Sequence, residues 1–200
     1  MEKPKVLLFD LGGVIVRWTG IAGLSSLTGL SEAEILATFA ASEIFKAYEI
    51  GKCNDDTFIA ALIDDFQLDM SPADATKQWN IWVGETYEGT KEVLTQLREN
   101  YTLACLSNTN ALHWAWLERH IATEDFFDHS YASHLIHAAK PNPKSYHIPI
   151  QDMGVRPSNI WFFDDTLINV EAAKTIGMEA FHVNRNLGVI PTLQALQLIP

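Results

Sequence analysis

Short apolar runs set between helical stretches restrict this chain more than any other feature. KVLLF at Lys5–Phe9 is the first run and ends at Asp10, followed by the flexible pair Gly12-Gly13. Beyond Gly84, helical stretches around Lys91–Glu99, Ala111–Arg119, Lys144–Met153 and Leu167–Gly177 alternate with strand-like runs at Thr102–Leu106, His129–Ala132, Ile160–Phe163 and Glu179–Val183. A continuous apolar run bounded by turn residues is what a strand buried on both faces of a parallel sheet requires. The alternation therefore predicts βαβ units and an α/β fold, with an open Rossmann-like parallel sheet covered by helices on both faces.

From about Ser31 to Gly84 the pattern changes to apolar residues three and four apart. Ile35, Phe39, Phe45 and Tyr48 form one helical group, and Phe58, Leu62 and Phe66 a second. A third starts at Ser71-Pro72, an N-cap followed by proline in the first turn, and carries Trp79 and Trp82. With Phe58, those tryptophans are expected in the core of the insertion. The expected organisation is a core from residues 1–17 and 85–200, interrupted by a helical insertion at 18–84. Ten acids against two bases between Ser31 and Asp74 give that stretch of the insertion −8 of the chain's net −11, a solvated acidic face.

That charge argues against a nucleic-acid surface. No apolar run approaches the roughly 20 residues of a membrane-spanning helix, and MEKPKV has no signal-peptide core, so a cytoplasmic protein without membrane partners is expected. Cys53 and Cys105 show no CxxC pattern, so neither a disulfide framework nor a zinc knuckle is expected. His134 and His137, with His129 nearby, lack a further ligand at zinc-like spacing.

In open parallel sheets, ligands bind beyond the carboxyl ends of the strands. The residues there are Asp10, Ser107-Asn108-Thr109 and Asp164-Asp165, with Lys140-Pro141 completing the set. A carboxylate pair can hold a divalent cation, and Mg2+ favours oxygen ligands. A hydroxyl, backbone amides and a lysine suit the oxygens of a phosphoryl group. These residue types suit phosphoryl transfer, and a small phosphorylated metabolite is the expected partner.

The runs FDLGGVIV, LSNTN, AKPNP and FFDD, in that order, resemble the four motifs of the haloacid dehalogenase-like (HAD) hydrolase superfamily, and an insertion straight after the first resembles its C1-cap group. YEIGK, LSNTNALH and FFDDTLINVEAA are similar to segments of its α-D-glucose-1-phosphate phosphatase branch. The resemblance implies that Asp10 is a nucleophile forming an aspartyl-phosphate. It implies Mg2+ held by Asp10, the Gly12 carbonyl and Asp165, with Asp164 a ligand, a supporter or a polar loop residue. Ser107 and the Asn108 amide would bind phosphate oxygens, and Lys140 would neutralise the nucleophile and the transferring group. The implied activity is a phosphomonoesterase acting on a sugar phosphate, glucose-1-phosphate foremost.

Two positions depart from the pattern. Many relatives carry an acid–base aspartate at the position of Gly12, and another aspartate at that of Asn169. The alternatives are a 2-haloacid dehalogenase, disfavoured because Asp164-Asp165 would repel a haloacid carboxylate, and a weakly catalytic module that binds a phosphorylated ligand. Arg17 and Trp18 at the start of the insertion, Tyr48 and Glu49 within it, and Asn110 and His113 after the phosphate loop are candidate contacts to the leaving group. Neither oligomeric state nor exact substrate is specified by these patterns.

Overall fold

The computed structural model describes residues 3–121 and 123–200; Met1 and Glu2 of the expected core lie outside the described residues. Strands β1 (Val6–Phe9) and β2 (Val16–Trp18) come first. Helices α1 (Gly20–Thr28), α2 (Glu32–Ala41), α3 (Glu43–Glu49), α4 (Asp55–Asp65) and α5 (Pro72–Ile81) follow. The chain returns through β3 (Val83–Thr86), α6 (Thr90–Leu97), β4 (Thr102–Ser107), α7 (Ala111–Ile121), α8 (Thr123–Phe126) and β5 (His129–Ala132). It ends with α9 (Ser133–Ile136), α10 (Pro143–Met153), β6 (Ile160–Asp164), α11 (Leu167–Thr175), β7 (Glu179–His182) and α12 (Ile190–Ala195).

Five strands form one parallel sheet in the order β5-β4-β1-β6-β7. Because side chains alternate along a strand, β1 serves two hydrophobic layers at once. Leu7 and Phe9 pack with Leu103, Cys105 and Phe163 on one face, and Val6 and Leu8 with Ala104, Leu106 and Phe162 on the other. Each fully buried Leu, Ile or Phe here contributes about 1.5–3 kcal/mol. This double burial is why the strands read as unbroken apolar runs.

Helices α1–α5 have their own core, where Tyr48 stacks on Phe58 at 4.1 Å and Phe58 meets Trp79 edge-on at 4.9 Å. Trp82 is buried there as well. Four of these helices start on a side-chain cap. Ser31 forms a capping box with Glu34, and Ser42, Asn54 and Ser71 accept from the N–H groups of Phe45, Thr57 and Asp74. Ser42 splits the expected Ile35–Tyr48 helical group into α2 and α3: its backbone is extended and its hydroxyl caps the second helix. The insertion is joined to the sheet by an antiparallel ribbon of β2 and β3, pairing Val16 with Thr86 and Trp18 with Val83. No helix among the described residues is long and apolar enough to cross a membrane.

Candidate active site

The chain winds outward from β1 through β4 and β5, then returns to β6 on the other side. That reversal places a crevice at the carboxyl ends of β1, β4 and β6, the usual ligand site of such sheets. Asp10, Ser107 and Asp164 stand at those ends, and the Asp10 N–H donates to the Phe163 carbonyl at 2.8 Å.

Lys140 lies at the centre. Its buried ammonium donates to Asp164 Oδ2 at 2.6 Å and lies 3.0 Å from Asp10 Oδ2. Burial opposes its charge, but the two carboxylates outweigh that and hold its pKa above the ordinary lysine value. Asn108 fixes the lysine's main chain: the Lys140 N–H donates to Asn108 Oδ1 at 2.8 Å, and Asn108 Nδ2 donates to the Lys140 carbonyl at 2.9 Å. One side chain thus joins the loop after β4 to the loop bearing the lysine.

Asp164 is fully buried, and both its oxygens have partners. Oδ1 accepts from the Thr166 N–H at 2.8 Å and Asn169 Nδ2 at 3.1 Å, while Oδ2 accepts from Lys140. Asn169 therefore braces Asp164. Asp165 turns toward the cavity, 3.1 Å from Arg185 Nε and within reach of the Thr166 hydroxyl. Burial raises its carboxyl above the ordinary range, partly offset by Arg185.

Ligand oxygens of Asp10, Asp164 and Asp165 lie within 4.8 Å of one another. This is an all-oxygen set, the donor chemistry that Mg2+ takes. Burial is the main cause that raises the Asp10 carboxyl to about 7, against the pull of Lys140. Gly12 adopts no left-handed conformation, and a Cβ there would meet Trp18 Cβ at 3.6 Å, an ordinary contact. Gly13 is the constrained glycine: its φ is +75°, and a Cβ would overlap the Asp165 carboxylate.

Above the acidic cluster is a cavity of about 390 Å³ roofed by the insertion. Trp18, Ile21, Leu36, Phe45 and Trp79 form much of its wall. The expected leaving-group contacts all line it, but several are already committed within the protein. His113 Nε2 faces the Trp79 carbonyl at 3.0 Å, and its Nδ1 lies 3.2 Å from Asn110 Nδ2. Burial lowers the His113 pKa to about 4, so the ring is neutral, donating through Nε2 and accepting at Nδ1. Asn110 also caps α7, its Oδ1 accepting the His113 N–H at 3.1 Å. Tyr48 donates its hydroxyl to Asp55 at 2.7 Å. Arg17 lies over the Tyr87 ring at 4.7 Å, and Trp18 stands edge-on to His113 at the rim. Sequence reasoning missed Arg185, which belongs to the loop after β7 and carries no motif. Thr166, the N-cap position of α11 beside Asp165, could have been found from that placement.

A parallel sheet with an acidic cluster and a buried lysine at its switch point defines a Rossmann-like α/β protein with its polar crevice at the strand ends. The chain belongs to the haloacid dehalogenase-like hydrolases, whose family model it matches over residues 4–177. It is 29% identical over 187 residues to a D-ribitol-5-phosphate phosphatase of Bacteroides thetaiotaomicron, covering 88% of this chain and 90% of that one. The sesquiterpene phosphatase astK of Aspergillus oryzae is 26% identical over 193 residues, 96% of each chain. A HAD family enzyme of B. thetaiotaomicron, solved with magnesium and inorganic phosphate, superposes with a TM-score of 0.76 at 27% identity, over 90% of this chain and 93% of its own.

Proposed function

We propose that this protein is a Mg2+-dependent phosphatase that cleaves a small phosphomonoester through an aspartyl-phosphate on Asp10. The observation that carries this reading is the Lys140 ammonium held between Asp10 and Asp164, with Asp165 completing the acidic cluster. Lys140 pulls Asp10 toward its ionised form, against burial, and orients it toward an anionic phosphoryl group. The Ser107 hydroxyl and the Asn108 N–H bind phosphate oxygens. Asp10, Asp165 and the Gly12 carbonyl hold Mg2+, and Asp164, whose oxygens are already engaged, positions Lys140. When bound, the ion supplies positive charge that offsets repulsion between the Asp10 carboxylate and the phosphoryl oxygens. The same carboxylates disfavour the dehalogenase alternative, since a haloacid brings a further negative charge into the crevice.

Residues 18–84 act as a cap over a core of residues 1–17 and 85–200. We favour a sugar phosphate, glucose-1-phosphate foremost, on the resemblance of YEIGK and LSNTNALH; the ribitol-phosphate phosphatase relative is compatible with a polyol leaving group. A second reading, an ester with an apolar body, is favoured by the aromatic and aliphatic walls and by the internal bonding of Asn110, His113 and Tyr48. The sesquiterpene phosphatase relative is in line with it. The compartment we propose is the cytoplasm, where the two free thiols, Cys53 and Cys105, are at home.

The test is phosphate release from glucose-1-phosphate, ribitol-5-phosphate and farnesyl phosphate, with Mg2+ and with EDTA, by wild type and Asp10→Asn. Mg2+-dependent release that disappears in the variant is expected, and the preferred ester decides between the two substrate readings. No release from any ester would favour the binding-module alternative.

A further inference from the structure

The proposed reaction expels an alkoxide, which needs a proton when the leaving group is an ordinary alcohol. Gly12 has no side chain to supply one. The cavity offers few other proton carriers. His113 is neutral with both ring nitrogens engaged, and Tyr48 is bonded to Asp55. Lys140 is occupied by two carboxylates, and Arg185 pairs with Asp165.

Glu49 remains. It is the one carboxyl that α1–α5 contribute to the cavity lining. Its carboxylate makes no hydrogen bond or ion pair among the described residues, whereas its main chain is firmly held. The buried Ser133 hydroxyl lies 2.7 Å from the Glu49 carbonyl and 2.8 Å from that of Thr109, and accepts the Thr109 N–H at 2.9 Å. The next carbonyl, Ile50, accepts from His137 Nδ1 at 3.0 Å. Gly51 follows at φ +69°, so close to the His134 carbonyl that a Cβ would overlap it. These contacts pin the end of α3 to the loop that carries Ser107 and Asn108, so Glu49 is placed relative to Asp10 by the core as well as by the cap.

We propose that Glu49 is the general acid and base of this phosphatase, in place of a side chain at Gly12. The assignment rests on the phosphatase reading above. As Asp10 attacks phosphorus and the ester P–O bond breaks, the Glu49 carboxyl gives its proton to the departing oxygen, releasing the alcohol. The resulting Glu49 carboxylate then takes a proton from water as its oxygen attacks the aspartyl-phosphate. The bond between phosphorus and Asp10 breaks, inorganic phosphate leaves, and both carboxyls return to their starting states. Burial, opposed by Lys140, raises the Glu49 carboxyl to about 7, so it can hold a proton near neutrality and also give it up. Of the ionisable groups on elements packed against α3, Asp55 on α4 is bonded to Tyr48, and His134 and His137 lie on α9 and its C-cap. Lys140 is the charge that acts on Glu49.

The test compares kcat/KM of wild type and Glu49→Gln on hexyl phosphate and p-nitrophenyl phosphate with Mg2+. This parameter reports the steps through leaving-group departure, and nitrophenolate leaves without a proton. The variant should lose about 10²-fold or more on hexyl phosphate and less than about five-fold on p-nitrophenyl phosphate. The second ester also shows that the variant is folded and binds phosphoryl groups. Equal losses on both esters, or no loss on hexyl phosphate, would overturn the assignment. If wild type released no phosphate from p-nitrophenyl phosphate, the phosphatase reading would fail and take this one with it.

Discussion

Glu49→Gln should make the protein more stable at alkaline pH, because wild type buries an ionisable carboxyl that no partner satisfies. Its folded pKa is raised from 4.5 to about 7, chiefly by burial. An acid that binds its proton more tightly when folded favours the folded state at low pH, and stability falls as pH rises between the two values. A tenfold change in proton affinity is worth about 1.4 kcal/mol, which bounds the effect at about 3 kcal/mol. Solvent reaching the half-buried carboxyl reduces this to about 1–2 kcal/mol gained by the variant over wild type between about pH 5 and pH 8. For a chain of this size that is a Tm difference of about 2–8 °C. The assay is urea unfolding of both proteins across this pH range in EDTA, so that bound metal does not contribute. A difference that stays constant with pH, or a variant less stable at pH 8, would refute the reasoning.

Lys140→Met removes the ammonium between two buried carboxylates; breaking a buried pair in this way costs about 3–5 kcal/mol. Urea midpoints at pH 8 should show that loss, and turnover should fall on the order of 10²–10³-fold. Gly12→Asp should fold, since its Cβ has ordinary room beside Trp18, and should restore part of the hexyl phosphate activity lost in Glu49→Gln. Gly13→Ala should fail where Gly12→Asp succeeds, costing about 1–3 kcal/mol for its left-handed backbone and displacing Asp165, with weaker Mg2+ binding by calorimetry. Asp165→Ala should likewise weaken Mg2+ binding, and an unchanged affinity would count against Asp165 as a ligand.

The acidic cluster was legible because a strand buried on both faces leaves an unbroken apolar run, and the first polar residue after it marks the carboxyl end. Asp10, Ser107 and Asp164 all obey that rule, and the sheet order makes their three strands neighbours. The ribbon that carries the insertion was not legible. β2 has three residues, two of them exposed, and β3 ends a stretch whose pattern reads as helix. α1 was missed for another reason: Gly20–Thr28 carries two glycines and two serines within nine residues, too little contrast to show a period.

The roles of polar residues were hardest to read, because their partners are often main-chain carbonyls that leave no mark in a sequence. Asn110, His113 and Tyr48 look like donors awaiting a substrate until Trp79 O and Asp55 are seen to occupy two of them, with Asn110 engaged by His113. Ser133, which carries no motif, ties Glu49 to Thr109 through two carbonyls. Sequence reasoning therefore overcounts the free polar groups in such a cavity. Once the committed ones are subtracted, Glu49 is the carboxyl that α1–α5 bring to the cavity lining without a hydrogen bond or ion pair among the described residues, so the proton chemistry missing at Gly12 and the spare acid at Glu49 become one question.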